Sequence, residues 1–254
     1  MPNDQAFQIA EEKIEQALQR GATQLDLSTE WDYNDPKLST LPESLRQLTS
    51  LRELNLSINS LESLPEWFGE LTALRKLDCS NNRLISLPES FGQLIQLEEL
   101  ILSSNQLPCL PEWLGELGQL RKLDLHVNCL ESLPQSFIKL TRLLELDISV
   151  NRLRAFPEQL AHLGQLQRLS ITSSQLASIP DWIGQLTQLQ LLNLAYNKLT
   201  SLPDSMGRLT QLTLLNLDFN QLTSLPESLG KLEGLRQLFV RSNPLNSKLD
   251  ADQK

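Results

Sequence analysis

The sequence predicts an α/β solenoid, with short parallel strands side by side on a concave face and helical or 3-10 turns on a convex face. Asparagine recurs every 23 residues at Asn59, Asn82, Asn105, Asn128, Asn151, Asn197, Asn220 and Asn243, interrupted only by Ser174. Proline keeps the same interval nine times, from Pro42 to Pro226. Within one period Leu54 and Leu56 alternate with polar residues, whereas Leu64, Phe68 and Leu71 lie three or four apart. A fixed period of this size marks a stack of like units. Alternation marks a half-buried strand, and the longer spacing a helical turn.

Taken in order, residues 1–21 read as a capping helix. Phe7, Ala10, Ile14, Ala17 and Leu18 share one apolar stripe, and Gly21 suits the position just past the helix end. An open solenoid must cover its terminal cores. Residues 22–245 then hold ten repeats. The first is divergent, with an insertion at 28–37 that carries Trp31 and Tyr33. The nine regular repeats begin at Leu51, Leu74, Leu97, Leu120, Leu143, Leu166, Leu189, Leu212 and Leu235. Residues 246–254 form a polar tail in which no amphipathic cap is visible.

One period reads Leu51-x-x-Leu54-x-Leu56-x-x-Asn59-x-Leu61-x-x-Leu64-Pro65-x-x-Phe68-Gly69-x-Leu71-x-x. The chain bends sharply at the asparagine, where backbone groups of adjacent turns would be buried unpaired. A side-chain amide, with donors and acceptors, satisfies them. Ser174 offers less, so a weaker rung is expected there. Proline opens each helical turn as a first-turn residue. This pattern resembles the leucine-rich repeat family over residues 22 to 245. Its spacing with Leu-Pro is similar to that of intracellular Ras-associated repeat proteins and the repeat regions of Roco proteins. The resemblance implies a horseshoe with the parallel sheet inside and signalling-type protein partners. It is specific for fold and weak for function.

The formal charge is −9. Much of it stands just after the repeat proline, at Glu43, Glu66, Glu89, Glu112, Glu158, Asp181, Asp204 and Glu227. Acids are favoured at the start of a helical turn. An acidic convex wall disfavours nucleic acid and anionic membrane as partners. The three cysteines, Cys79, Cys109 and Cys129, stand in three different columns, which fits a reducing, cytoplasmic setting better than cysteine-rich caps. No secretory signal and no span of apolar residues long enough for a bilayer is visible.

Chemistry has few candidates. His126 lies on the concave face near Asp124, with Ser103 and Ser149 one rung away on either side. Serine and aspartate recur in those columns anyway, and a flat sheet offers neither an oxyanion hole nor an enclosed pocket. The reading is no catalytic residue, no metal and no cofactor. The alternation Glu30, Asp32, Asn34 fails as a calcium loop because Asp35 and Leu41 stand where glycine and glutamate are required.

The concave face carries the functional expectation. One column runs Glu53, Lys76, Glu99, Lys122, Glu145, Arg168, Leu191, Leu214, Gln237, and the next Asn55, Asp78, Ile101, Asp124, Asp147, Ser170, Asn193, Asn216, Phe239. Before each asparagine come Ile58, Asn81, Ser104, Val127, Val150, Ser173, Tyr196, Phe219 and Ser242. The early repeats mix charges, and the late ones cluster apolar and aromatic groups. Leu191, Asn193, Tyr196, Leu214, Asn216, Phe219, Phe239 and Arg241 are therefore the expected partner-binding residues. Trp31, Tyr33, Arg52, Arg75, Arg121 and His126 are secondary candidates. Trp67, Trp113 and Trp182 share a convex column, read as packing between neighbouring turns. Ten strands span roughly 43 Å at a ~4.8 Å spacing, which suits a protein-sized interface.

These observations lead to the expectation of a non-enzymatic, cytoplasmic scaffold that binds a protein on its concave face, in a signalling role. Two alternatives remain at this stage: the recognition segment of a multidomain enzyme such as a Roco-type GTPase, and a secreted bacterial effector engaging host proteins. The chain is expected to be monomeric, or to self-associate weakly through its uncapped C-terminal end.

Overall fold

The computed structural model describes residues 4–30 and 36–245. The expectations placed on Trp31, Tyr33 and the 246–254 tail lie outside the described residues. Helix α1 (Asp4–Arg20) covers the first repeat. Ten three-residue strands follow: β1 (Gln24–Asp26), β2 (Glu53–Asn55), β3 (Lys76–Asp78), β4 (Glu99–Ile101), β5 (Lys122–Asp124), β6 (Glu145–Asp147), β7 (Arg168–Ser170), β8 (Leu191–Asn193), β9 (Leu214–Asn216) and β10 (Gln237–Phe239). They form one parallel sheet in strict chain order. Leu54 pairs with Leu77, 23 residues on, while Leu25 pairs with Leu54, 29 residues on. The difference, 29 − 23 = 6, assigns six extra residues to the first repeat without disturbing its register.

The buried stripe of α1 is Ala6, Ala10, Ile14 and Ala17. Phe7, expected on that stripe, is only half-buried, because small residues let the helix approach the first repeat closely. At the helix end the N–H of Ala22 bonds the Ala17 carbonyl and that of Gly21 the Leu18 carbonyl. This pairing requires left-handed backbone at Gly21, whose φ is 57°.

Leucines at equivalent positions in successive repeats stack into one continuous core, joined by Phe68, Phe91 and Phe137. The asparagine column closes the rungs. Asn128 is typical: its Oδ1 accepts the N–H of Leu107 at 3.0 Å, and its Nδ2 donates to the carbonyls of Leu102 at 2.9 Å and Leu125 at 3.1 Å. Each amide therefore ties its own bend to the repeat before it. Ser174 breaks this pattern. Its hydroxyl donates to the Thr172 carbonyl of its own bend, and Gln175 moves into left-handed backbone, a position no other repeat uses among the described residues.

The convex turns are 3-10 helices of five residues each, such as Glu66–Glu70. Proline stands one residue earlier than expected, as the extended N-cap rather than in the first turn, with φ −72° and ψ 155° at Pro65. Its carbonyl accepts the first helical bond, from Phe68 at 2.9 Å. At Glu66 and Glu112 the acid after the proline reaches across to the next repeat: the Glu112 carboxylate accepts the N–H groups of Gln135 and Ser136 at 3.0 and 2.8 Å. The Ser136 backbone bond holds the Glu112 carboxyl below its usual range. Adjacent turns also touch through glycine. A Cβ on Gly69 would stand 2.2 Å from the Ser90 carbonyl oxygen, so no side chain fits there. Trp67, Trp113 and Trp182 are half-buried against the core, with Trp113 5.5 Å from Phe91 and Trp182 5.4 Å from Phe156 between ring centres.

In the last repeat the burial thins. Leu225, Leu229, Leu235, Leu238 and Val240 are partly covered, whereas Leu202, Met206, Leu212, Leu215 and Leu217 one repeat earlier are buried. No helix among the described residues is long and apolar enough to cross a membrane.

Candidate functional site

The site is built by register. Because every strand pairs residue for residue with the next, the outward positions of the sheet become straight columns. In the first column charge alternates from Glu53 to Arg168. Lys76 lies 3.3 Å from Glu99, and this contact raises the lysine's pKa, with Glu53 adding to it from the other side. At β8 and β9 the alternation stops, and Leu191 stands beside Leu214, both half-exposed.

The column before the asparagines has a feature the sequence did not announce. Ile58, Asn81, Ser104, Val127, Val150, Ser173, Tyr196, Phe219 and Ser242 all adopt left-handed backbone, with φ between 52° and 58°. Such angles are uncommon for residues other than glycine, and outliers for β-branched ones. The bend is enforced by the bonds around it, such as Tyr196 N–H to the Asp218 carbonyl at 2.9 Å. It turns each side chain outward. Tyr196 and Phe219 are 56% and 44% exposed and stack on each other at 4.3 Å and 7° between planes. Val127 and Val150 are exposed in the same column.

The column of Asn55, Asp78, Asp124, Asp147, Asn193 and Asn216 has a structural task that sequence reasoning missed. Each side-chain Oδ1 accepts the backbone N–H two residues on, from Ser57 at 3.0 Å to Asp218 at 3.0 Å. These Asx turns lead the chain from the strand into the bend. Asn193 and Asn216, expected as polar rim residues, thus each hold the backbone through Oδ1. The signal was present in the column's composition, since apart from Ile101, Ser170 and Phe239 it holds only Asp and Asn.

The remaining expected residues are scattered. Phe239 is half-buried on β10, and Arg241 is exposed one bend later, its N–H bonded to Asp218. Arg52, Arg75 and Arg121 are exposed just before β2, β3 and β5, and Arg75 pairs with Glu98 at 3.0 Å. The His126 backbone N–H donates to Asp124, while its Nδ1 is buried without a partner. A shallow trough lined by Asp124, Asp147, Arg168, Leu191 and Asn193 connects the charged and apolar parts. The Asp124 carboxyl is held above its usual range, first by burial and also by the charge of Asp147 on the adjacent strand.

Three family profiles match the sequence. A leucine rich repeat profile covers residues 34–84 and 119–176, a leucine-rich repeat region 157–250, and a profile of two leucine rich repeats 72–114. The chain is a leucine-rich repeat protein. Solved structures agree. The leucine-rich repeat domain of the type III effector XCV3220 (XopL) is 28% identical, with a TM-score of 0.78 over 94% of this chain and 82% of that one. The plant peptide hormone receptor RGFR1, solved in complex with RGF2, is 31% identical, with a TM-score of 0.71 over 80% of this chain and 34% of that one. The ectodomain of the Arabidopsis thaliana receptor kinase GASSHO1/SCHENGEN3, solved with CASPARIAN STRIP INTEGRITY FACTOR 2, is 32% identical, with a TM-score of 0.68 over 87% of this chain and 30% of that one. The leucine-rich repeat chain thus spans about a third of the plant receptors it matches. Comparison with curated proteins gave no match.

Proposed function

We propose that this leucine-rich repeat protein is a binding scaffold whose concave face, at β8 to β10, holds a segment of a protein partner. The family and its receptor and effector neighbours support the scaffold reading. One observation carries the location: a stacked aromatic pair, exposed at 56% and 44%, beside two half-exposed leucines where the charged ladder ends. Leu191, Tyr196, Leu214 and Phe219 form its centre, with Phe239 at one side and Asn193, Asn216 and Arg241 as the polar rim. Large aromatic groups surrounded by such a rim are the usual carriers of interface energy. Arg52, Arg75 and Arg121 act on encounter rather than on the lifetime of the complex.

A role as the recognition segment of a longer signalling or effector protein is the second reading, supported by the third of a receptor that the chain spans. The exposed thiol of Cys109 suits a reducing, cytoplasmic setting. The thinly covered last repeat supports weak self-association, which sedimentation at rising concentration reads directly.

The test is a titration. A partner captured by the wild-type chain is purified and measured against the Tyr196→Ala, Phe219→Ala double variant, with circular dichroism to show that the variant is folded. A loss of about 30-fold, ~2 kcal/mol, is expected. Equal affinity for the folded double variant moves the site to the convex tryptophans or the N-terminal repeats.

A further inference from the structure

Resting on the concave reading above, we propose that the bound segment carries an apolar side chain for the Tyr196–Phe219 and Leu191–Leu214 patch and basic side chains, about four residues away along it, that lie over Asp124 and Asp147. The Asx turns themselves do not require a charge. An acceptor oxygen is enough, and Asn55, Asn193 and Asn216 supply it without charge in the same column. A carboxylate at Asp124 and Asp147 is therefore more than the fold needs.

It is also a cost. The two residues are direct neighbours across β5 and β6, and like charges so placed are destabilising. Burial adds to that cost at Asp124, whose carboxyl is held above its usual range. Neither carboxylate has an ion-pair partner among the described residues, although the face offers Lys122 and Arg168 nearby. Each carboxylate accepts its backbone N–H through Oδ1, and Asp124 also takes the Ser103 hydroxyl, but a carboxylate's several lone pairs leave acceptor sites for a further donor. An unpaired carboxylate pair beside an open apolar patch matches a cationic and apolar ligand segment. The pair that costs stability in the free chain is compensated when an ammonium or guanidinium group arrives.

The spacing follows from the sheet. The midpoint of β5 and β6 lies three rungs from the midpoint of β8 and β9, about 14 Å at ~4.8 Å per rung. An extended chain rising ~3.3 Å per residue crosses that distance in about four residues. The intervening rung, β7, presents the small, uncharged Ser170 and Ser173 in these two columns, with Arg168 in the first column beside Glu145.

The experiment is a selection of random dodecapeptides displayed on phage against the whole wild-type chain at low salt. Selected peptides are then titrated against two variants. Asp124→Asn, Asp147→Asn keeps both Asx turns and removes only the charge. Tyr196→Ala, Phe219→Ala removes the apolar anchor. We expect arginine or lysine enriched about four positions from an aromatic or aliphatic residue, and about tenfold weaker binding to the Asn variant that high salt mimics. Peptides that lose binding to the Ala variant but bind the Asn variant within about twofold overturn this inference and leave the concave reading standing. Binders indifferent to both variants, or no binders at all, overturn both.

Discussion

Replacing Asn128 with alanine tests the ladder that holds the repeats together. The side chain is buried, and its Oδ1 is the acceptor for the buried N–H of Leu107. Its Nδ2 serves the carbonyls of Leu102 and Leu125, but these retain Asn105 and Asn151 as donors at 3.0 Å each. The variant therefore orphans one donor outright and removes a second bond from two acceptors. A buried unsatisfied N–H costs about 1–3 kcal/mol, and the weakened carbonyl contacts add to it, for ~3 kcal/mol in all. Ser174→Ala removes one bond, to the Thr172 carbonyl, and should cost under about 1 kcal/mol. Urea denaturation of both variants reads the difference as a shift in midpoint at unchanged slope. Equal costs at the two positions would refute the claim that the amide, rather than the burial of any small residue, closes each rung.

The close approach of convex turns predicts that Gly69→Ala destabilises by about 1–3 kcal/mol, because the added Cβ meets backbone, while Gly118→Ala, with open space around it, is near neutral in a melting scan. Asp124→Asn should raise the melting temperature at neutral pH. The Asp124 pKa is higher folded than unfolded, so the wild type loses stability as pH rises through the range from the ordinary ~3.9 upward, and the variant's advantage should vanish below that value. An advantage unchanged by acid would contradict this. Ellman's reagent should label exposed Cys109 first and buried Cys79, whose pKa burial raises, only on unfolding; early labelling of Cys79 would count against the packing.

The period made the sheet, its parallel register and the asparagine ladder legible, because each depends on the same residue returning to the same place. The column that holds Tyr196 and Phe219 was legible for the same reason. Features that depend on how one repeat meets the next were not. The Gly69 contact with Ser90 and the reach of Glu112 to Ser136 involve groups more than 20 residues apart whose spacing carries no separate mark. The left-handed bend was hidden for another reason: Ile58, Val127 and Val150 are residue types that oppose it, and only the surrounding backbone bonds impose it. The Asx turns were hidden in plain composition, since Asp and Asn on an open face read equally as ligand contacts.

The central claim is tested most directly by a footprint. Hydrogen exchange of the chain, alone and with a bound partner, should show new protection concentrated over β8 to β10 and the bends at Tyr196 and Phe219, fading toward β2. Protection confined to the convex turns around Trp67 and Trp113, or to the α1 end, would contradict it.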